Sequence, residues 1–133
     1  MKAIVCTKSG SPEVLTLVEL ERPIPKQNEV LIKVIASSVT IGDVELRKIP
    51  RFILVPLGLL FGFKSMKITG VEFAGVVESV GSDVSRFNKG DQVYGTTTGL
   101  EYGGNAEYVC VPESSKKRVL VKKPENISFI NAA

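Results

Sequence analysis

Gly70-Val-Glu-Phe-Ala-Gly-Val-Val-Glu-Ser-Val-Gly81 and, close behind it, Asn88-Lys-Gly-Asp-Gln-Val-Tyr-Gly95 are the stretches whose reading decides the fold. The first reads as a strand with small residues on one side. It ends at a Gly81-Ser82 turn, and Gly90-Asp91 then launches another strand. Strands of this kind need partners, and the flanking sequence supplies them.

Lys2 to Cys6 opens the chain as a strand, and Ser9-Gly10-Ser11-Pro12 turns it into Val14 to Leu20. Pro23-Ile24-Pro25 and Gln27-Asn28 form a rigid turn. From Glu29 to Ser37 the pattern alternates, with Val30, Ile32, Val34 and Ala36 on one face and Lys33 on the other. Further strands are expected over Glu72–Val80, Asp91–Gly95, Ala106–Val111 and Arg118–Lys122. Many short strands joined by Gly, Pro and Asn turns predict a mainly β fold with short helices, a closed or partly open β-barrel.

One helix is expected over Gly42–Lys48, introduced by Thr40. Thr40 and Asp43 have the spacing of a capping box, with Asp in place of the usual Glu or Gln. Ser128 reads as the N-cap of a second helix, and the chain stops about one turn later. A longer parent protein is therefore expected.

The chain has 133 residues, enough for one domain spanning 1–133. Hydrophobic residues make up 44% and charged residues 23%, the balance of a folded globular protein rather than a disordered one. A net charge of +3 does not imply a nucleic-acid partner. The basic clusters Lys116-Lys117-Arg118 and Lys122-Lys123 read as solvated strand ends. Cys6 and Cys110 are far apart and have no CxxC partner, so a reducing cytoplasmic setting is expected. Phe52-Ile-Leu-Val-Pro-Leu-Gly-Leu-Leu-Phe-Gly-Phe63 is apolar, yet its 12 residues fall short of the roughly 20 that a membrane-spanning helix needs.

Several motifs in order resemble one family. Gly70 to Gly81 with its Gly90-Asp91 turn is similar to the G-H-E-x-x-G-x-V-x-x-V-G and G-D-x-V segments of medium-chain dehydrogenases/reductases. Pro23-Ile24-Pro25 leading into Asn28–Val34 resembles their proline turn and E-V-L-V-K-V strand. Gly103-Gly104-Asn105-Ala106-Glu107-Tyr108 resembles their G-x-x-A-E-Y strand, and Pro124 to Ala133 their K-P-x-x-x-S-x-x-x-A-A stretch. The resemblance implies a GroES-like catalytic domain, with a Rossmann cofactor domain to follow. It also implies a homo-oligomer in the full-length form.

In the zinc-binding members the segment's histidine and a cysteine before the first helix hold the metal. Here the matching positions are Val71 and Thr40, and the chain has no histidine. Glu72 alone cannot hold zinc, so no metal site is expected. The resemblance then points to the zinc-independent, quinone oxidoreductase-like branch, using NADP or NAD bound mainly by the other domain. Without a metal to stabilise an alkoxide, reduction of a quinone or an α,β-unsaturated carbonyl is the favoured chemistry. A metal-free alcohol dehydrogenase and a non-enzymatic GroES-like binding or assembly module are the alternatives.

Thr40 is the candidate catalytic hydroxyl, where similar enzymes place an asparagine; the alternative is a plain helix cap. Asp43 reads as a capping residue and Glu72 as a hydrogen-bonded carboxylate. Arg47 could meet a cofactor phosphate or pair with Asp43. Tyr94 and Thr96 are candidates for substrate contact, or members of a loop that satisfies its own backbone. Phe52, Leu60 and Phe61, with Leu54, Leu57 and Phe63, would form a greasy wall for a small hydrophobic carbonyl or quinone, or pack on a further domain or subunit.

Overall fold

A computed structural model describes residues 1–50, 52, 68–97, 103–115 and 118–133, and strands dominate it. In chain order these are β1 (Lys2–Cys6), β2 (Leu15–Glu19), β3 (Glu29–Ser37), β4 (Glu72–Val80), β5 (Gln92–Thr96), β6 (Tyr108–Pro112) and β7 (Leu120–Lys122). Helix α1 (Ile41–Lys48) and a short terminal helix α2 (Phe129–Ala132) accompany them. A 3-10 turn, Pro12–Val14, leads into β2. Proline at its start suits the fixed φ of that residue.

β6, β3, β4, β5 and β7 form one antiparallel sheet in that order, and β1 and β2 form a hairpin. The hairpin is stitched to the larger sheet by bridges from Ala3 to Ala106 and from Val5 to Ile68. Two bulges interrupt the pairing of β3 with β4, with Glu78 the extra residue on β4 and Ile35 the extra residue on β3, and they bend the strands and curl the sheet. The result is the partly open, mainly β barrel that the sequence predicts.

Burial follows the alternation on the inner face. Val30, Ile32, Phe73, Val77, Val93 and Val111 are all but completely buried in one cluster with Phe87 and Leu120. Leu31 is buried too, at 3% exposure, and lies outside that cluster. Alternation alone assigns it no core role. Leu31 sits between Val30 and Ile32 on the opposite face of β3, so that face is covered at this point too. Two strand edges also differ from the sequence reading. Ala106 forms only the bridge to Ala3, and the last strand begins at Leu120 rather than Arg118.

The Asn88–Asp91 turn is tight for a visible reason. Asp91 N–H donates to the Asn88 carbonyl at 3.1 Å, and Gly90 sits at φ +94°. The Asp91 carboxylate accepts from Asn88 N–H at 2.9 Å and pairs with Lys122 at 2.9 Å, fastening the turn to β7. The hydrogen bond from Lys122, and then that from Asn88, hold the Asp91 carboxyl below its ordinary range. Lys122 is thereby accounted for without a phosphate partner. Lys116 and Lys117 lie outside the described residues.

Two outcomes follow. A β-carbon added at Gly90 would meet no atom within 4 Å, whereas one at Gly70, also at φ +94°, would lie 2.4 Å from Asn105 N. Gly90→Ala should therefore cost about 1–2 kcal/mol of backbone strain alone, and Gly70→Ala clearly more; equal losses in urea melts would refute the steric distinction. For Asp91, a lowered folded pKa means that its contribution is whole above the unfolded value, about 4, and is lost as pH falls through the folded one. Melting temperatures of wild type and Asp91→Asn should differ at neutral pH and converge in acid.

Candidate functional site

One end of the large sheet gathers the polar groups that the sequence singles out. Here β3 finishes, β4 begins and β5 finishes. Register places Thr96 opposite Glu72 and Tyr94 opposite Ala74, so Thr96 and Tyr94 share a face with Glu72. Just past β3, Ser38 Oγ–H donates to Glu72 Oε2 at 2.7 Å. Glu72 is thus a half-buried, hydrogen-bonded carboxylate. Ser38, which no sequence motif marks, is its partner.

Thr40 follows two residues later and opens α1. Its carbonyl accepts from Asp43 N–H at 3.1 Å and Val44 N–H at 3.3 Å, starting the helix. Only one half of the expected capping box forms. Asp43 Oδ2 accepts Thr40 N–H at 3.0 Å, while Thr40 Oγ1–H also donates to Oδ2, at 3.1 Å, instead of accepting from the helix backbone. Asp43 Oδ1 reaches out of the helix to accept Gly70 N–H at 2.9 Å. This one carboxylate therefore joins α1 to the segment that starts β4.

Gly70 is a node in its own right. Its carbonyl accepts from Gly103 N–H at 3.1 Å, Gly104 N–H at 3.0 Å and Thr97 Oγ1–H at 3.0 Å. Thr97, the buried member of the hydroxyl-rich loop after β5, lies within 3.1 Å of the Val71 carbonyl as well. Next door, Asn105 Nδ2–H donates to Thr69 Oγ1 at 3.0 Å. Sequence spacing gives no hint of these contacts, because each joins segments far apart in the chain.

Beside this node a cavity of about 560 Å³ opens between β1, the turn into β2 and α1. Ile4, Pro12, Leu15, Val39 and Val44 make its wall apolar, and Ser37, Asp43, Arg47, Thr69 and Asn105 add polar groups. Among the described residues no ion pair joins Arg47 to Asp43. Its guanidinium donates to the Gly10 carbonyl, and Gly10 N–H returns a bond to the Arg47 carbonyl at 3.1 Å.

Thr40, Tyr94 and Thr96 lie off the cavity wall. Thr96 Oγ1 accepts from Val119 N–H at 3.4 Å. Phe52 is 78% exposed, and Leu60 and Phe61 lie outside the described residues. Burial and the nearby Glu29 push the Cys110 thiol up to about 11, so it stays protonated at neutral pH and behaves as a packing residue. Among the described residues no three His, Cys, Asp or Glu side chains gather to hold a metal ion, and no helix is long and apolar enough to cross a membrane. Glu72 accepts from Ser38, and Thr40 and Val71 stand at the positions of the resemblance's metal ligands. These residues do not fit a zinc site.

Residues 26–125 match the Alcohol dehydrogenase GroES-like domain family. The chain belongs to that family. A quinone oxidoreductase from Sus scrofa is 36% identical over all of this chain, which covers 36% of that relative. An NADPH-dependent alkenal/one oxidoreductase, chloroplastic, from Arabidopsis thaliana is also 36% identical over the whole chain, covering 33% of its length. The solved structure of the quinone oxidoreductase from Coxiella burnetii superposes with a TM-score of 0.82 at 36% identity, over all of this chain and 40% of that one. The chain spans about a third of the length of the curated relatives it matches. This GroES-like domain carries the dehydrogenase sequence signature that the Gly70 and Gly90 segments announce.

Asp43→Ala removes the acceptor for two backbone N–H groups and a hydroxyl. It should cost about 2 kcal/mol or more and expose the Gly70 amide to hydrogen exchange. Unchanged protection of that amide would show that Asp43 does not hold it.

Proposed function

We propose that this chain is the substrate-binding and catalytic domain of a zinc-independent, NAD(P)H-dependent oxidoreductase that reduces quinones or α,β-unsaturated carbonyls. What carries the reading is similarity over the whole of this chain to reductases of both acceptor classes, together with side chains at the metal positions that cannot ligate zinc. The nicotinamide nucleotide supplies a hydride. No G-x-G-x-x-G fingerprint lies in these 133 residues, so most of the nucleotide's contacts belong to other residues of the complete protein.

This chain's own contribution is a shaped, hydroxyl-bearing surface. Hydride arriving at a conjugated carbon leaves negative charge on an oxygen, which hydrogen-bond donors stabilise. Tyr94 and Thr96 are the hydroxyls proposed for that donor role, and Thr40, whose proton goes to Asp43, is proposed to line the same region. Phe52 and the apolar residues after it, Leu60 and Phe61 among them, are proposed to form a wall for the ring or chain of a hydrophobic acceptor. Two cysteines without a disulfide suit a reducing compartment, and a cytoplasmic homo-oligomer completes the reading.

The complete protein, assayed with NADPH and with NADH, should reduce a simple benzoquinone or a short 2-alkenal and keep that activity in excess chelator. Alcohol oxidation with neither quinone nor enone reduction would sink this proposal.

A further inference from the structure

The connection from β7 to α2 is gathered around one side chain. Lys123 N–H still belongs to the sheet and donates to the Gln92 carbonyl at 2.8 Å. Its ammonium turns forward onto the residues that follow. Nζ donates to the Pro124 carbonyl at 2.9 Å and to the Ile127 carbonyl at 2.7 Å. It also lies 5.1 Å from the centre of the Phe129 ring, a cation–π contact with the first residue of α2. A lysine ammonium has three N–H donors, so two carbonyls and a ring face occupy it fully. Beyond it, Ile127 N–H donates to the Pro124 carbonyl at 3.4 Å, and Ser128 Oγ caps α2 by accepting Asn131 N–H at 3.2 Å. Helix α2 in turn packs on β3 and β4.

Both ends of residues 124–128 are thus bound to one group that is itself anchored in the sheet. The sequence reading makes Lys123 a solvated strand end; in the fold it is half-buried and its charge is directed inward along the chain. Such an arrangement fixes an angle that backbone bonds alone would leave free to swing.

We infer, on the reductase reading, that Lys123 is a positioning residue. It sets the direction of α2 against the barrel, and through α2 the placement of the nicotinamide, held mainly by other residues of the complete protein, over the acceptor. Hydride transfer needs its reacting atoms about 3–3.5 Å apart, and a misplacement of about 1 Å can cost about a hundredfold. Lys123 touches neither reactant and acts only through the connection it ties.

The test uses the complete protein. Lys123→Met keeps the stem and removes the donors; its kcat for a benzoquinone or a 2-alkenal should fall about tenfold, a displacement well under 1 Å. Calorimetric affinity for NADPH (or NADH, whichever binds) should hold, because the nucleotide's main contacts are elsewhere. Lys123→Arg, whose guanidinium can serve both carbonyls and stack on Phe129, should recover most of the loss. Amide exchange at Asn131 and Ala132 should quicken about fivefold in Lys123→Met, the loss of one hydrogen bond, and slow again in Lys123→Arg. If the Met variant does not fold, Phe129→Leu, which removes only the ring face, should lower kcat in the same direction. Unchanged kcat in the variant that folds, or an Arg variant no better than Met, overturns the inference. So does an affinity loss as large as the kcat loss, which marks general damage. Wild type that reduces neither acceptor overturns the reductase reading instead, and the exchange rates then decide by themselves whether Lys123 holds α2.

Discussion

The carbonyl and N–H of Gly70 are the constraint on which the rest of this fold hangs. Its carbonyl takes three donors, from Gly103, Gly104 and Thr97, and its N–H goes to Asp43 of α1. Four segments meet at this one residue: the start of β4, the end of β5, the approach to β6 and the first turn of the helix. So many convergent bonds leave no room for a side chain. The backbone there is also left-handed, at φ +94°, which glycine adopts at little cost. Thr69 next to it extends the same knot to β1, through its N–H to the Ile4 carbonyl at 3.0 Å and through Asn105, whose carbonyl takes Ile4 N–H at 2.9 Å.

That knot sets the chemistry available nearby. Asp43 is a helix-capping residue, a clamp on Gly70 and part of a cavity wall at once. A carboxylate with three donors is a rigid object, since its ring of bonds fixes both oxygens. The hydroxyl of Thr40 inherits its orientation from that rigidity. Ser38 and Glu72 repeat the arrangement one step earlier along the chain.

The cavity beside α1 shows how function and packing share residues. Arg47, open on sequence grounds to a cofactor phosphate or to a pair with Asp43, is tied to Gly10 in the loop between β1 and β2. That contact ties the loop between β1 and β2 to the helix. A guanidinium has five donors, so the bond to Gly10 leaves its proposed part in cofactor binding a separate question of affinity.

Strands, the turns between them and the resemblance to a family are all legible in the linear chain. Alternation in Glu29–Ser37, the glycine-bearing turn at Asn88–Asp91 and the cap spacing of Thr40 and Asp43 are local signals, written within a few residues. The mismatch with the zinc-binding pattern is local too, because the chain has no histidine and carries threonine and valine at the matching positions. What the candidate residues touch is a matter of three-dimensional packing. Ser38 meets Glu72 across 34 positions, Arg47 meets Gly10 across 37 and Asp43 meets Gly70 across 27. Such meetings depend on sheet register and on the bulges between β3 and β4, where a shift of one residue turns a side chain to the opposite face. No local pattern encodes that register; the packing of all the strands together does.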